Sequence, residues 1–408
     1  MDERLAAGIA AWVTEAGLAG ASEPDLLRGF CERMATAGLP LARAVVIIDT
    51  LHPVYEGRAF HWRRDPTDER LFFEYGRTGD NPEVAEGWRR SPFYHLLETG
   101  GTLLRRNIAR GDPVDFPRIE EARSRGETDY VALVHRFAAD GVIGEMDCVY
   151  SAWASDAPRG FPDPHVEALG RLVPALALAA KCASLARIAG TLVETYLGRD
   201  AGRRVLEGRI LRGVADRIGA VVWFSDLRGF TRITDTAAPE QVIPLLNDYA
   251  EAVISAVYDE GGDVLKLIGD GTLAIFTAED PARACRCALA AEALMRSRVG
   301  DLNARRGAAG LPVTDVYLGL HVGEVFYGNI GSPDRLDFTV VGPAVNETSR
   351  VAAMCRSAER DVLLSSAFAA TVHDDERHRL VSVGRYALRG VGRPQELFTL
   401  DREAGDRP

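Results

Sequence analysis

A chain of 408 residues, 47% hydrophobic and 26% charged, is long enough for two or three domains with real cores. Its 59 acidic and 48 basic residues leave a net charge of −11, which argues against general affinity for nucleic acid or anionic lipid but allows a local basic pocket. The apolar run LVPALALAA (172–180) is about half the length that spans a bilayer, and MDERLAAGIAAWV has acidic residues and no signal-peptide layout, so a cytoplasmic chain without a membrane partner is expected.

In chain order, AVVIID (44–49) and LFFEYG (71–76) read as strands. SPFYHLLETG (91–100) reads as a helix with a serine cap and a glycine stop. VIGEMDCVYSAWA (142–154) alternates in part and reads as a strand. A helical stretch starts near Pro162, with Val166, Leu169, Val173, Leu176, Leu185, Ile188, Leu192 and Tyr196 as its apolar stripe. Pro174 is expected to kink or interrupt it. Cys285 and Cys287 are the only neighbouring pair among six cysteines and lie in a helical stretch, so neither a structural zinc nor a disulfide framework is expected.

From about residue 215 strands and helices alternate. A strand at 220–226 leads to a helix from Pro239 to about Tyr258. DVLKLIG and TLAIFT flank Asp270–Gly271, a strong hairpin signal. A helix runs from Pro281 to about Met295, strands follow at 316–328 and 337–342, and a short helix at 344–355. The order β-α-β-β-α-β predicts a split βαβ sandwich with helices on one face of an antiparallel sheet.

Two aspartates stand out. Asp226 lies in VVWFSDLRGFT and Asp270 in LKLIGDGTLAIF, each after an apolar run. If the two strands are neighbours, the carboxylates converge, as a magnesium–triphosphate requires. Gly229 allows a tight turn whose amides can face phosphate oxygens. For Asp270 alone, turn chemistry explains the residue equally well. Asn346 and Arg350, in DFTVVGPAVNETSR (337–350), are four apart and share a helical face. An arginine beside a triphosphate can stabilise charge on the transferring phosphoryl group; a solvated helix face is the plain alternative.

SDLRGFT, KLIGDG and DFTVVGPAVNETSR, in this order, resemble the catalytic domain of class III nucleotidyl cyclases over about residues 215–400. The resemblance implies an α+β chain with a ferredoxin-like catalytic domain at 215–402. It implies two Mg²⁺ (or Mn²⁺) ions per active site, held by Asp226, Asp270 and the carbonyl of Leu227. It further implies phosphate contacts from the amides of Phe230 and Thr231, ribose orientation by Asn346 and transition-state stabilisation by Arg350. Arg389, in YALRGVGRP, falls where the family usually has a phosphate-binding lysine. Pro343 stands where many relatives have aspartate. The charged stretch SPDRLDF (332–338) reads as a loop, either a partner-touching arm or a solvated segment.

The base follows from hydrogen bonding. Adenine offers an acceptor at N1 and a donor at its 6-amino group, and guanine reverses the pattern. Lys266 is a donor only, and the Thr339 hydroxyl can accept. In the resembling family Lys with Asp or Thr at these positions selects ATP, and guanylyl cyclases typically carry Glu at the lysine position. The expected function is adenylate cyclase; the alternatives are a guanylate cyclase or a non-catalytic ligand-sensing module. No histidine is needed as base, and His321 reads as structural. The family's sites lie between two catalytic domains packed head to tail, so a homodimer is expected.

The first half carries no motif of comparable strength. AVVIID, SPFYHLL, VIGEMDCVYSAWAS and SDAPRGFPDPHVEALGRLVPALALA resemble a GAF-type sensor domain. That implies a regulatory unit at 1–180, a helical linker at 181–214 and an unidentified small-molecule ligand. Trp62, Phe73, Tyr75, Phe93, Tyr94 and His95 are pocket candidates, with core packing the favoured reading.

Overall fold

Prolines and small polar residues set most helix starts in the computed structural model, which describes residues 2–65, 72–138, 143–144, 146–388 and 394–401. The Ser91 hydroxyl accepts from the Tyr94 amide (3.1 Å), the following helix begins at Pro92, and Gly100 ends it at φ +72°. The chain divides into two units, Met1–Leu192 and Val193–Pro408.

The first unit contains helices α1 (Glu3–Leu18) and α2 (Glu23–Thr36) and strands β1 (Arg43–Asp49), β2 (Gly57–Arg63) and β3 (Phe72–Tyr75). Helices α3 (Pro82–Arg89) and α4 (Pro92–Thr99), strand β4 (Leu103–Arg106), helix α5 (Pro117–Ser124), strands β5 (Asp129–Arg136) and β6 (Cys148–Ser155), and helix α6 (Asp163–Leu197) follow. The sheet order is β3-β2-β1-β6-β5-β4, antiparallel throughout. One face is buried under α1, α2 and α6 through Val13, Phe30, Leu169 and Leu176 against Val46 and Trp153. Phe93 and Ile119, from α4 and α5, cover the other face against Val45 and Tyr150.

Two expectations change here. Helix α6 continues through Pro174 without being interrupted. Pro174 is exposed, so the carbonyl that loses its amide partner can turn to water. The six aromatic and histidine candidates do not line one pocket: Trp62 packs with the core on one sheet face and Phe93 with the core on the other. By length and composition α6 could cross a membrane, yet Val166, Leu172 and Val173 on it are buried in the core of the first unit.

In the second unit, α7 (Arg199–Leu206) precedes β7 (Ala215–Leu227), α8 (Phe230–Thr236) and α9 (Pro239–Asp259). Next come β8 (Asp263–Ile268), β9 (Gly271–Phe276), α10 (Pro281–Ala308), β10 (Val316–Ser332), β11 (Arg335–Val341) and α11 (Pro343–Ala358). The unit closes with β12 (Val362–Ser365), α12 (Ser366–Thr371), α13 (Asp374–Arg377), β13 (Leu380–Tyr386) and β14 (Gln395–Leu400). The order β10-β7-β9-β8 is antiparallel and is that of a ferredoxin-like βαββαβ sheet.

Helices occupy both faces of this sheet, not one. Alternate residues Val221, Trp223, Leu318 and Leu320 meet α9 and α10. Their neighbours Ala220, Val222, Leu273 and Ile275 meet Ala201 of α7 and Ala344 of α11. Gly319 makes room for α11: a Cβ there would lie 2.6 Å from the Ala352 nitrogen. The whole sheet is mixed, since β12 runs parallel to β10. SPDRLDF is not a loop; Ser332 pairs with Arg335 and Ile330 with Asp337 in the β10–β11 hairpin.

Candidate active site

The apolar core on both sides of β7 fixes where its polar end emerges. Asp226 is the penultimate residue of β7, and its neighbour Ser225 pairs with Thr272 of β9. The two-residue loop of the β8–β9 hairpin is Gly269–Asp270, not Asp270–Gly271, because Ile268 pairs with Gly271. Glycine supplies the positive φ (+64°) at the first central position. Gly271 then passes so close to β7 that a Cβ on it would lie 2.9 Å from the Ser225 carbonyl oxygen and 3.6 Å from Asp226 Oδ1. This crossing brings Asp270 against Asp226.

The pairing has an electrostatic cost. The Asp226 carboxyl is pushed up to about 6, first by burial and then by the charge of and hydrogen bond with Asp270. A shared proton or a cation relieves the repulsion between two such carboxylates. The donors are hard oxygens, the ligand type of magnesium, which keeps several waters and needs few protein ligands. Among the described residues no cluster of three or more His, Cys, Asp or Glu side chains is gathered. The two carboxylates of Asp226 and Asp270 are the paired hard-oxygen donors here, and Leu227 is the buried last residue of β7.

Gly229, left-handed at φ +68°, starts α8. Phe230 and Thr231 occupy the first turn, where helix amides have no intrahelical acceptor. Lys266, on β8, forms an ion pair with Asp337 of β11. Thr339 lies two residues further along β11, so its side chain shares that strand face. Thr339 is buried, and its hydroxyl has no hydrogen-bond partner among the described residues. Sequence reasoning passed over Asp337 as the partner of Lys266; its place two residues before Thr339 on a strand was the available signal.

Asn346 and Arg350 lie on the less buried side of α11. Ala344, Thr348, Val351 and Cys355 of α11 are buried, whereas Asn346 is exposed and Arg350 half-buried on the other side of the helix. Among the described residues neither makes a side-chain hydrogen bond or ion pair with Asp226, Asp270, Lys266 or Thr339. His321 is structural in its contacts: Nδ1 lies 2.8 Å from the Ser365 hydroxyl and 3.8 Å from Glu347. Burial lowers its pKa, against the opposing pull of Glu347. Arg389 lies outside the described residues.

Residues 215–401 match the family described as "Adenylate and Guanylate cyclase catalytic domain". The chain is similar to Adenylate cyclase 1 of Rhizobium meliloti (strain 1021), 30% identical over 190 residues, covering 45% of this chain and 28% of that protein. It is also similar to the adenylate cyclase of Anabaena cylindrica, 32% identical over 157 residues, 38% of this chain and 30% of that protein. The chain thus spans less than a third of the length of either relative. Among solved structures, the guanylyl cyclase Cya2 aligns with a TM-score of 0.40 at 28% identity, covering 46% of this chain and 93% of that one.

Proposed function

We propose that the chain, whose residues 215–401 match the adenylate and guanylate cyclase catalytic domain family, is an adenylate cyclase, converting ATP to 3′,5′-cyclic AMP and pyrophosphate. The observation that carries this reading is the convergence of Asp226 and Asp270 where Gly271 crosses β7. The ribose O3′ forms a bond to the α-phosphorus as the bond from that phosphorus to the bridging oxygen of the β-phosphate breaks. The hydroxyl proton passes to solvent and pyrophosphate leaves. Two bound magnesium or manganese ions supply Lewis-acid chemistry, lowering the hydroxyl pKa and neutralising phosphate charge. Asp226, Asp270 and the Leu227 carbonyl would hold those ions. The amides of Phe230 and Thr231, on the turn that Gly229 permits, cradle the phosphates. Arg389 is a further phosphate contact in this reading. Asn346 orients the ribose, and Arg350 meets the charge that grows on the transferring phosphoryl group.

Base choice rests on Lys266 and Thr339. An ammonium has three donors, so its pairing with Asp337 leaves others for adenine N1. The orphaned, buried Thr339 hydroxyl is suited to accept from the 6-amino group. Leaving such a group unpaired is costly, which is how a polar pocket discriminates. Lys266→Ala is expected to lower kcat/KM for ATP by about ten- to a hundredfold, mainly through KM. Lys266→Glu is expected to shift preference toward GTP. Steady-state rates with both nucleotides check this; an unchanged ATP-to-GTP ratio in both variants contradicts the assignment.

The outward placement of Asn346 and Arg350 supports a site completed by a second copy of the chain. Phe326 and Val341, paired across the β10–β11 hairpin, and Leu267 and Ile268 at the tip of the β8–β9 hairpin are exposed apolar residues suited to such a contact. In this reading the dimer is head to tail with two equal sites, and the first unit is a GAF-like regulatory domain for a small molecule. Its six-stranded antiparallel sheet, covered on both faces, is consistent with that role. The test of the reading is direct. Purified chain with Mg²⁺ or Mn²⁺ should make cyclic AMP and pyrophosphate from ATP faster than cyclic GMP from GTP. No product from either nucleotide would falsify the enzyme reading, and a clear GTP preference would make the chain a guanylate cyclase.

A further inference from the structure

The turn between α6 and α7 sits against the strand that displays Lys266. Gly198 forms that turn at φ +84°, and a Cβ on it would lie 2.2 Å from the Val264 carbonyl oxygen. The obstacle is backbone, so no side chain can swing away to admit a methyl group. The turn is fixed on its other side as well. The Gly198 amide donates to the Glu194 carbonyl (2.9 Å) and the Gly202 amide to the Gly198 carbonyl (2.9 Å). The Arg199 guanidinium lies 3.9 Å over the Tyr258 ring. Leu197, Ala201 and Val205 share a core with Leu265 and Leu273.

Val264 marks an irregularity in the ladder. Pairing of β8 with β9 shifts register between Val264 and Lys266, so Leu265 is an extra residue in the strand. A bulge bends a strand and re-aims the side chains that follow. Here those are Lys266 next in line and, four residues further, Asp270 in the hairpin loop.

We propose that Gly198 is a positioning residue for the nucleotide site: its missing side chain lets the α6–α7 turn seat on the Val264 carbonyl, and this contact sets the bulge that aims Lys266 and the Asp270 loop. The kinetic part of this inference rests on the adenylate cyclase reading; the structural part does not.

The test compares Gly198→Ala with Gly208→Ala in the full chain. Gly208 also has a positive φ (+93°), but a Cβ there meets nothing within 4 Å. Both positions have a positive φ, and only at Gly198 would the added Cβ meet a neighbour; Gly198, at ψ 164°, also lies in a region open essentially to glycine. Amide hydrogen exchange should speed up at residues 265–272 in Gly198→Ala and not in Gly208→Ala. KM for ATP should rise on the order of tenfold or more, as small misplacements of positioning groups do, while the ATP-to-GTP preference falls. Unchanged exchange at 265–272, exchange raised evenly across the second unit, or altered exchange with unaltered kinetics would each overturn the proposal. A wild-type chain without cyclase activity would sink the functional reading, and the exchange comparison would still decide whether Gly198 sets the hairpin. If Gly198→Ala does not fold, Gly202→Ala strains the same turn from the α6 side, its Cβ 2.8 Å from Glu194 Cα, and is read in the same way.

Discussion

An Asp270→Ala chain is expected to form cyclic nucleotide about a hundred- to a thousandfold more slowly than the wild type, the scale seen when a group that supports transition-state charge is lost. The loss follows from position. Asp270 occupies the only loop between β8 and β9, and Gly271 carries that loop onto the end of β7 beside Asp226. Without Asp270, one carboxylate and one carbonyl remain, too few to hold two ions. The fold should survive, because Asp270 is a half-buried loop residue.

Asp270→Asn separates charge from shape. Burial and the Asp270 charge raise the Asp226 carboxyl to about 6, above its unfolded value, so ionisation costs folding free energy. Without divalent metal, the contribution of this protonated carboxyl to wild-type stability is fully present below its unfolded pKa and is lost as pH rises through about 6. The asparagine variant should lose the part of that decline that the Asp270 charge causes, keeping the part due to burial, and should lack the thermal stabilisation expected of the wild type with Mn²⁺. Thermal unfolding at pH 5 and pH 7, with and without Mn²⁺, reads both effects. A variant that keeps the Mn²⁺ stabilisation removes Asp270 from the metal site.

Arg350→Ala should cost about a hundred- to a thousandfold in kcat, with KM for ATP little changed, as expected of a donor that acts on transition-state charge. Its stability should stay within about 0.5 kcal/mol of wild type. The side chain is half-buried on the outer side of α11 and makes no hydrogen bond or ion pair among the described residues. A structural arginine would behave in the opposite way, lowering the melting temperature and sparing kcat. Arg350→Lys should recover little, because a point charge does not reproduce the planar fork of a guanidinium.

What was legible in the sequence was local. The serine cap and glycine stop of α4, the β8–β9 hairpin and the βαββαβ order all depend on neighbouring residues, and each is present in the structure. The hairpin loop lies one residue earlier than the Asp-Gly signal indicates, since glycine precedes aspartate in the loop. Side-chain partners far apart in the chain were not legible. The Lys266–Asp337 pair joins strands 71 residues apart, and only the folded sheet shows why that lysine is held. The face covered by α11 was also missed, because it depends on Gly319 allowing a helix backbone against β10. Helix α6 passes its proline for a reason the periodicity alone does not carry, namely that Pro174 faces outward.

In the proposed dimer Asp226 and Asp270 supply one half of a site and Asn346 and Arg350 of a second copy supply the other. Mixing Asp270→Ala and Arg350→Ala chains tests it most directly. Each variant alone should be inactive. A statistical mixture should recover about a quarter of wild-type activity, since half the two-fold dimers are mixed and each mixed dimer holds one intact site. A mixture in which heterodimers form yet no activity returns would contradict the account.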